Sequence, residues 1–347
     1  LEKLREHLDV LRKYNSGETP GALTFLLYSG DRIETPARQV FFRWVKRTFL
    51  SRIKTWLETR ITERLDADAK MKNAKLFDDL YTEQVAGFYE PDSSMLFAEA
   101  GTDLLTLRGT LAHELVHALQ HQYLPLDSIL DDRSDADRLA AAQAVLEGQA
   151  TLVMVLYLAP DGGFLDDDAI WSRLRDNLAA PQTGLDVFNN APLVIRTGLI
   201  FPYIEGASFV RWFRNNRSGE QPFGALMPQS TEQILHPARY QQGDAPVRLR
   251  FTSDTTGVMH EDTFGEYESL VLRSALAGIT AVATDLPLGW GGDRLRVYRT
   301  PDGPALVWYS VFDEPGFADN FRSRVVNGLE RVRRTGYRTV IDRVPVG

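Results

Sequence analysis

TLAHELVHALQHQ, residues 110–122, decides how the rest of the chain is read. It contains His113-Glu114-Leu115-Val116-His117. Two histidines four apart on a helix differ by about 40° in azimuth and about 6 Å along the axis, so both rings reach one point. Glu114 lies one step round. Two neutral imidazoles bind Zn²⁺ well, and a neighbouring carboxylate can take a proton from water on the same ion. With 6 His and 19 Glu in 347 residues, chance yields this spacing roughly 0.006 times per chain, so the pattern is specific. Leu111, Leu115, Val116, Ala118 and Leu119 surround it, which predicts a buried helix over about 105–123. Buried imidazoles and carboxylates need partners. The alternative is a pair of core histidines satisfied by ordinary hydrogen bonds.

A catalytic zinc site holds three protein ligands and keeps one position open. Position 123 is Tyr, so no histidine stands six residues beyond His117. His121 lies one turn on and reads better as a surface or outer-layer histidine. Glu147 is the stronger candidate. It sits in AAQAVLEGQATLVM, a run otherwise of small and apolar residues with two glutamines, where a buried carboxylate is costly without a cation. Gly148 and Ala150 permit a close helix approach. The expected cofactor is one Zn²⁺ ion on His113, His117 and Glu147; the alternative leaves Glu147 on a solvated face.

Composition sets the frame. The 347 residues carry 39 Lys+Arg and 47 Asp+Glu, a formal net charge of -8, with 44% hydrophobic and 25% charged residues, which excludes wholesale disorder. The length suits about two domains and a smaller appendage. There is no cysteine, which excludes disulfides, thiol catalysis and iron–sulfur clusters and leaves His, Asp and Glu to hold any metal. The longest apolar runs, such as LVMVLYLA (152–159), fall short of the ~20 residues of a membrane span. The chain begins at Leu1; with the absence of cysteine, this leads us to expect an exported protein, periplasmic, surface-bound or extracellular.

Charge is uneven. Residues 36–75 carry 11 basic against 4 acidic side chains, while residues 76–347 carry 23 against 37. Phe41, Val45, Phe49, Ile53, Leu57, Ile61 and Leu65 recur every four residues, so this stretch reads as an amphipathic helix packed on a core with a solvated basic back. A membrane-surface contact through 38–65 is the alternative. Nucleic acid is not an expected partner, because the acidic excess elsewhere repels phosphate.

The pattern predicts an N-terminal helical region over 1–79, with helices at 1–14 and along the basic stretch and a short apolar strand or helix at 22–28. A central region, 80–244, follows, and then a small α+β region, 245–347. Residues 85–99 read as a hairpin about Pro91–Ser94. Helices are expected at 134–158 and 203–216, and PQSTEQILHP (228–237) offers a capping box with Ser230 and Gln233. Beyond 245 the reading is a strand at 247–252, a helix at 264–277, a hairpin at 294–311 and a last helix near 317–330. The class is α+β, predominantly helical.

HELVH with a glutamate on a later helix resembles the gluzincin type of zinc metallopeptidase. EQVAGFYEPDSSMLF, TLAHELVHALQHQ, DADRLAAAQAVLEGQATLVM, FPYIEGASFV, PQSTEQILHPARY and GWGGDRLRVY resemble more specifically a family of bacterial proteins described as metallopeptidases. The likeness runs from about residue 80 to 315 and lends a fold and a reaction class, with no substrate. It implies a zincin-like core over 80–244, His113 and His117 as the first two zinc ligands, Glu114 as general base and Glu147 as third ligand. It also implies an edge strand above the zinc helix, along which a peptide or protein substrate lies extended. Met95–Ala98 stands in that place, making Phe97 and Ala98 substrate-contacting candidates. Many gluzincins carry Asp four residues after the ligand glutamate. Here the residue is Thr151, whose hydroxyl is expected to support a zinc histidine, as is Gln120.

The expected reaction is hydrolysis of peptide bonds by metal-activated water. An oxyanion needs a donor besides the metal. Tyr203 and His236 are the candidates, followed by Tyr240 as a substrate contact. The rival reading is a zinc-binding protein of the same fold, without peptidase activity, that serves as a binding module. The residues carry no expectation about oligomeric state.

Overall fold

The computed structural model describes residues 25–28, 76, 79–80, 83, 86–91, 94–99, 101–130, 135–159, 167–180, 182–252, 255–279, 282, 288–301 and 303–332. The helices predicted at 1–14 and along 36–65, with the basic face through 38–65, lie outside the described residues. The protein is α+β and mostly helical. It divides into two compact units. The first takes Leu1–Asp132, Ala142–Ala191 and Ile200–Leu226; the second takes Arg133–Ala141, Pro192–Leu199 and Met227–Gly347. The boundary expected at residue 245 therefore lies inside the second unit.

In the first unit, β1 (Phe25–Tyr28), β2 (Gly87–Glu90) and β3 (Met95–Glu99) form a three-stranded sheet in the order β1-β3-β2. β2 and β3 are the expected hairpin, antiparallel with Phe88 opposite Phe97, and their rings stack at 4.7 Å. Ser94 takes the left-handed conformation at the turn (φ 54°), and its N–H donates to Pro91 O. β1 runs parallel to β3. Helix α1 (Leu104–Tyr123) starts where Asp103 caps it, Oδ1 accepting the N–H groups of Leu105 and Thr106. Its buried side packs Leu115 and Ala118 against Tyr89 and Leu96 of the sheet. Each such buried leucine contributes about 1.5–3 kcal/mol relative to exposure. Gly87 makes the approach possible: a Cβ there would stand 2.7 Å from both Phe97 O and Thr110 Cγ2.

A short helix, α2 (Leu126–Leu130), leads towards α3 (Ala136–Leu158); α4 (Asp168–Ala179), α5 (Asp186–Asn190) and α6 (Leu193–Asn216) follow. Gly148 of α3 meets the backbone of Gly206 of α6, where an added Cβ would sit 2.1 Å from Gly206 C. A Cβ on Gly206 would lie 1.9 Å from Ala144 O. The two backbones touch, as small residues beside Glu147 led us to expect. Helix α6 starts ten residues before its expected start at 203, because Pro202, which reads as a helix stop, is carried inside it. By length and composition α3 and α6 could each cross a membrane, although about half of each apolar window is buried in the protein (56% and 50%). Both carry carboxylates on their apolar lengths, the partly buried Glu147 on α3 and the buried Glu205, paired with Arg175, on α6.

In the second unit, α7 (Thr231–Leu235) and α8 (Pro237–Gln242) precede β4 (Val258–Asp262), α9 (Gly265–Ala277), the hairpin β5–β6 (Trp290–Thr300 and Gly303–Phe312) and α10 (Pro315–Val332). The sheet order is β4-β5-β6, antiparallel throughout. Ser230 caps α7 as expected, accepting Gln233 N–H, but the Gln233 side chain accepts from Gln229 N–H rather than closing the box on Ser230. The strand expected at 247–252 is absent: β4 takes the edge of β5 from Leu295 to Tyr298, and only Val247 N–H reaches Gly291 O. Asp293 organises this unit. Its carboxylate accepts the N–H groups of Phe264 and Gly265 at the start of α9 and the indole N–H groups of Trp290 and Trp308. Leu270, Leu288, Trp290, Phe321 and Val325 form the core beside it.

Candidate metal centre

Helices α1 and α3, both in the first unit here, bring His113, His117 and Glu147 together. Nε2 of His113 and Nε2 of His117 are 3.1 Å apart, and Glu147 Oε2 lies 3.1 Å from the first and 3.2 Å from the second. Four-coordinate zinc with bonds of ~2.0–2.1 Å sets neighbouring ligand atoms about 3.3–3.4 Å apart, so this triangle is close to one face of that tetrahedron.

Hydrogen bonding fixes which His117 nitrogen faces inward. Gln120 Nε2 donates to Leu146 O (2.9 Å), a group that can only accept, and to Gln149 Oε1. The amide oxygen of Gln120 is thereby turned towards His117 Nδ1, 2.9 Å away. Nδ1 must donate, so Nε2 of the neutral ring carries a lone pair. That lone pair faces the Glu147 carboxylate, and two electron pairs at this distance need a proton or a cation between them. The donor set, its spacing and this pairing fit a divalent metal, with two imidazoles and a carboxylate matching zinc. Without a metal the proton takes the place: burial pushes His117 down, but Glu147 beside it outweighs this and raises it to about 10. Burial likewise pushes Glu147 up, yet His117 and the bonds from both rings hold it well below the usual carboxylate range.

Glu114 is buried next to this group, and its Oε2 accepts Tyr89 N–H at 2.8 Å. Burial raises its carboxyl, against the pull of His117 and His113. The Tyr203 ring stacks beside His113 at 5.8 Å and is 40% exposed. His121 bonds Tyr89 Oη through Nδ1, the outer-layer place expected for it.

Other expected residues fall elsewhere. β3 is the central strand, hydrogen-bonded to β1 and β2, and Phe97 and Ala98 are buried, so they line no peptide-binding edge. Among the described residues the two outer strands of this sheet are β1 and β2. The Thr151 hydroxyl is buried on α3 with no hydrogen-bond partner among the described residues, so it orients neither histidine. His236 and Tyr240 belong to the second unit, where His236 Nε2 lies 3.0 Å from Glu266 Oε2. Two contributors were missed: the Tyr89 backbone amide, which holds Glu114, and Gln149, which shares the Gln120 amide. A backbone donor leaves no signature in residue type, whereas Gln149 lies two residues from Glu147 and was within reach of the reading.

The model of a family described as a domain of unknown function (DUF8575) matches residues 233–344, a span that contains none of the residues of the candidate metal centre. Searches of the curated proteins and of the solved structures gave no match.

Proposed function

We propose that this protein is a zinc-dependent metallopeptidase with a zincin-like core. The observation that carries the reading is the His113–His117–Glu147 triangle, with the inward lone pair of His117 dictated by Gln120. His113, His117 and Glu147 would hold the metal. A zinc ion bound there would supply Lewis acidity, acidifying water beside it towards a pKa of ~7 and polarising a carbonyl oxygen. Glu114 takes the proton from the attacking water and returns it to the leaving amine; its buried, weakened acidity suits both directions of transfer. Gln120 holds the His117 ring in its tautomer. Tyr203, beside His113 and partly exposed, is placed to contact substrate next to the metal.

Elemental analysis of the purified protein, with cleavage of an unfolded protein substrate by the wild type and by Glu114→Gln, tests the reading. One zinc per chain, cleavage by the wild type and its loss in a zinc-retaining E114Q variant support it. Full zinc without cleavage favours a metal-binding module instead, and absence of zinc removes both.

A further inference from the structure

The second unit contains a cavity of about 360 Å³, walled by the segment 246–251, by β4 and β5 and by the first turn of α3. That volume lies at the small end of the range of roughly 300–1,000 Å³ typical of small-molecule sites. Its acidic groups are already engaged. Asp293 accepts four N–H groups, Asp137 takes the hydroxyl and N–H of Thr231, Glu261 is held between Arg294 and Arg296, and Asp135 accepts Arg138 N–H. Two cations on the same wall are left over. Arg248 and Arg250, two residues apart, line the cavity and are exposed, and neither has an ion-pair or hydrogen-bond partner among the described residues. Trp290 and Phe251 supply apolar surface beside them.

We infer that this cavity binds a small molecule bearing an oxyanion group, a phosphate or a carboxylate, gripped by Arg248 and Arg250. A guanidinium presents parallel N–H donors that match two oxygens of either group, and a pair of guanidinium groups facing one cavity favours a ligand with two such oxygens or more. Arg294 and Arg296 offset the charge of Glu261, and burial raises the carboxyls of Asp137 and Asp293, which lessens their repulsion of an anion. The site lies entirely within the second unit and does not depend on the metal centre.

Isothermal titration of the full chain at low ionic strength with inorganic phosphate and with citrate, against sodium chloride at equal ionic strength, tests this. Saturable binding of one probe beyond the chloride control is expected. It should weaken at least about tenfold in R248A/R250A and stay unchanged in R324A, on the exposed face of α10. The probe that binds tells phosphate from carboxylate chemistry. Both arginines are exposed, so unchanged circular dichroism is expected and serves as the folding control. Failure of both probes to bind saturably, or equal binding by the double variant, overturns the proposal.

Discussion

Gln120 Oε1 lies 2.9 Å from His117 Nδ1, and the other end of the same amide is pinned by Leu146 O. The orientation of one imidazole is thus decided by a backbone carbonyl of the helix that also supplies Glu147. Replacing Gln120 by Ala frees the ring to take either tautomer. Zinc affinity, measured by competition with a chelator, should fall about 10–100-fold while the fold persists. Unaltered affinity would show that Gln120 does not orient the ligand.

Gly206→Ala is the sharpest packing test. The new methyl would stand 1.9 Å from Ala144 O, and helix backbone cannot move aside as a side chain does. The expected cost is at least about 1–3 kcal/mol in denaturant unfolding. Because Gly148 and Glu147 are neighbours, zinc affinity should drop as well. A neutral substitution would mean that α3 and α6 do not touch here.

Glu232 gives a pH prediction. Burial raises its carboxyl, Glu266 adds to this, and Arg239 only partly opposes it, so the group is pushed up to about 9. A folded value above the unfolded 4.5 means stability that is complete below pH ~4.5 and lost as pH rises through about 9. Glu232→Gln should therefore raise the melting temperature by about 2–5 °C at pH 9 and change it little at pH 5. Equal shifts at both pH values would contradict this environment.

Tyr203→Phe keeps the ring against His113 and removes only the hydroxyl. If Tyr203 donates to the reacting carbonyl, zinc content stays full and kcat falls about 10²–10³-fold, with KM little changed. A wild-type kcat restricts Tyr203 to packing.

The helices of the candidate metal centre were the most legible part of the chain. An apolar stripe and the His spacing placed α1 within one residue of its start, and the run of Ala, Val and Leu placed α3 within two. What the sequence concealed was long-range. The resemblance put Phe97 on an edge strand, whereas its β1 partner, Leu26, some seventy positions away, makes β3 the central strand. His236 looked available because Glu266, which meets it, is thirty residues downstream in another helix. Pro202 hid the start of α6, since a proline within a helix reads the same as one that ends it.

The amide of Tyr89 is committed to Glu114 Oε2, and it projects from the outer side of β2. A strand joining the sheet on that side would claim the same hydrogen. Docking at the rim and tethering of the carboxylate are thus mutually exclusive demands on a single donor, and whatever arrives there must release Glu114 as it settles.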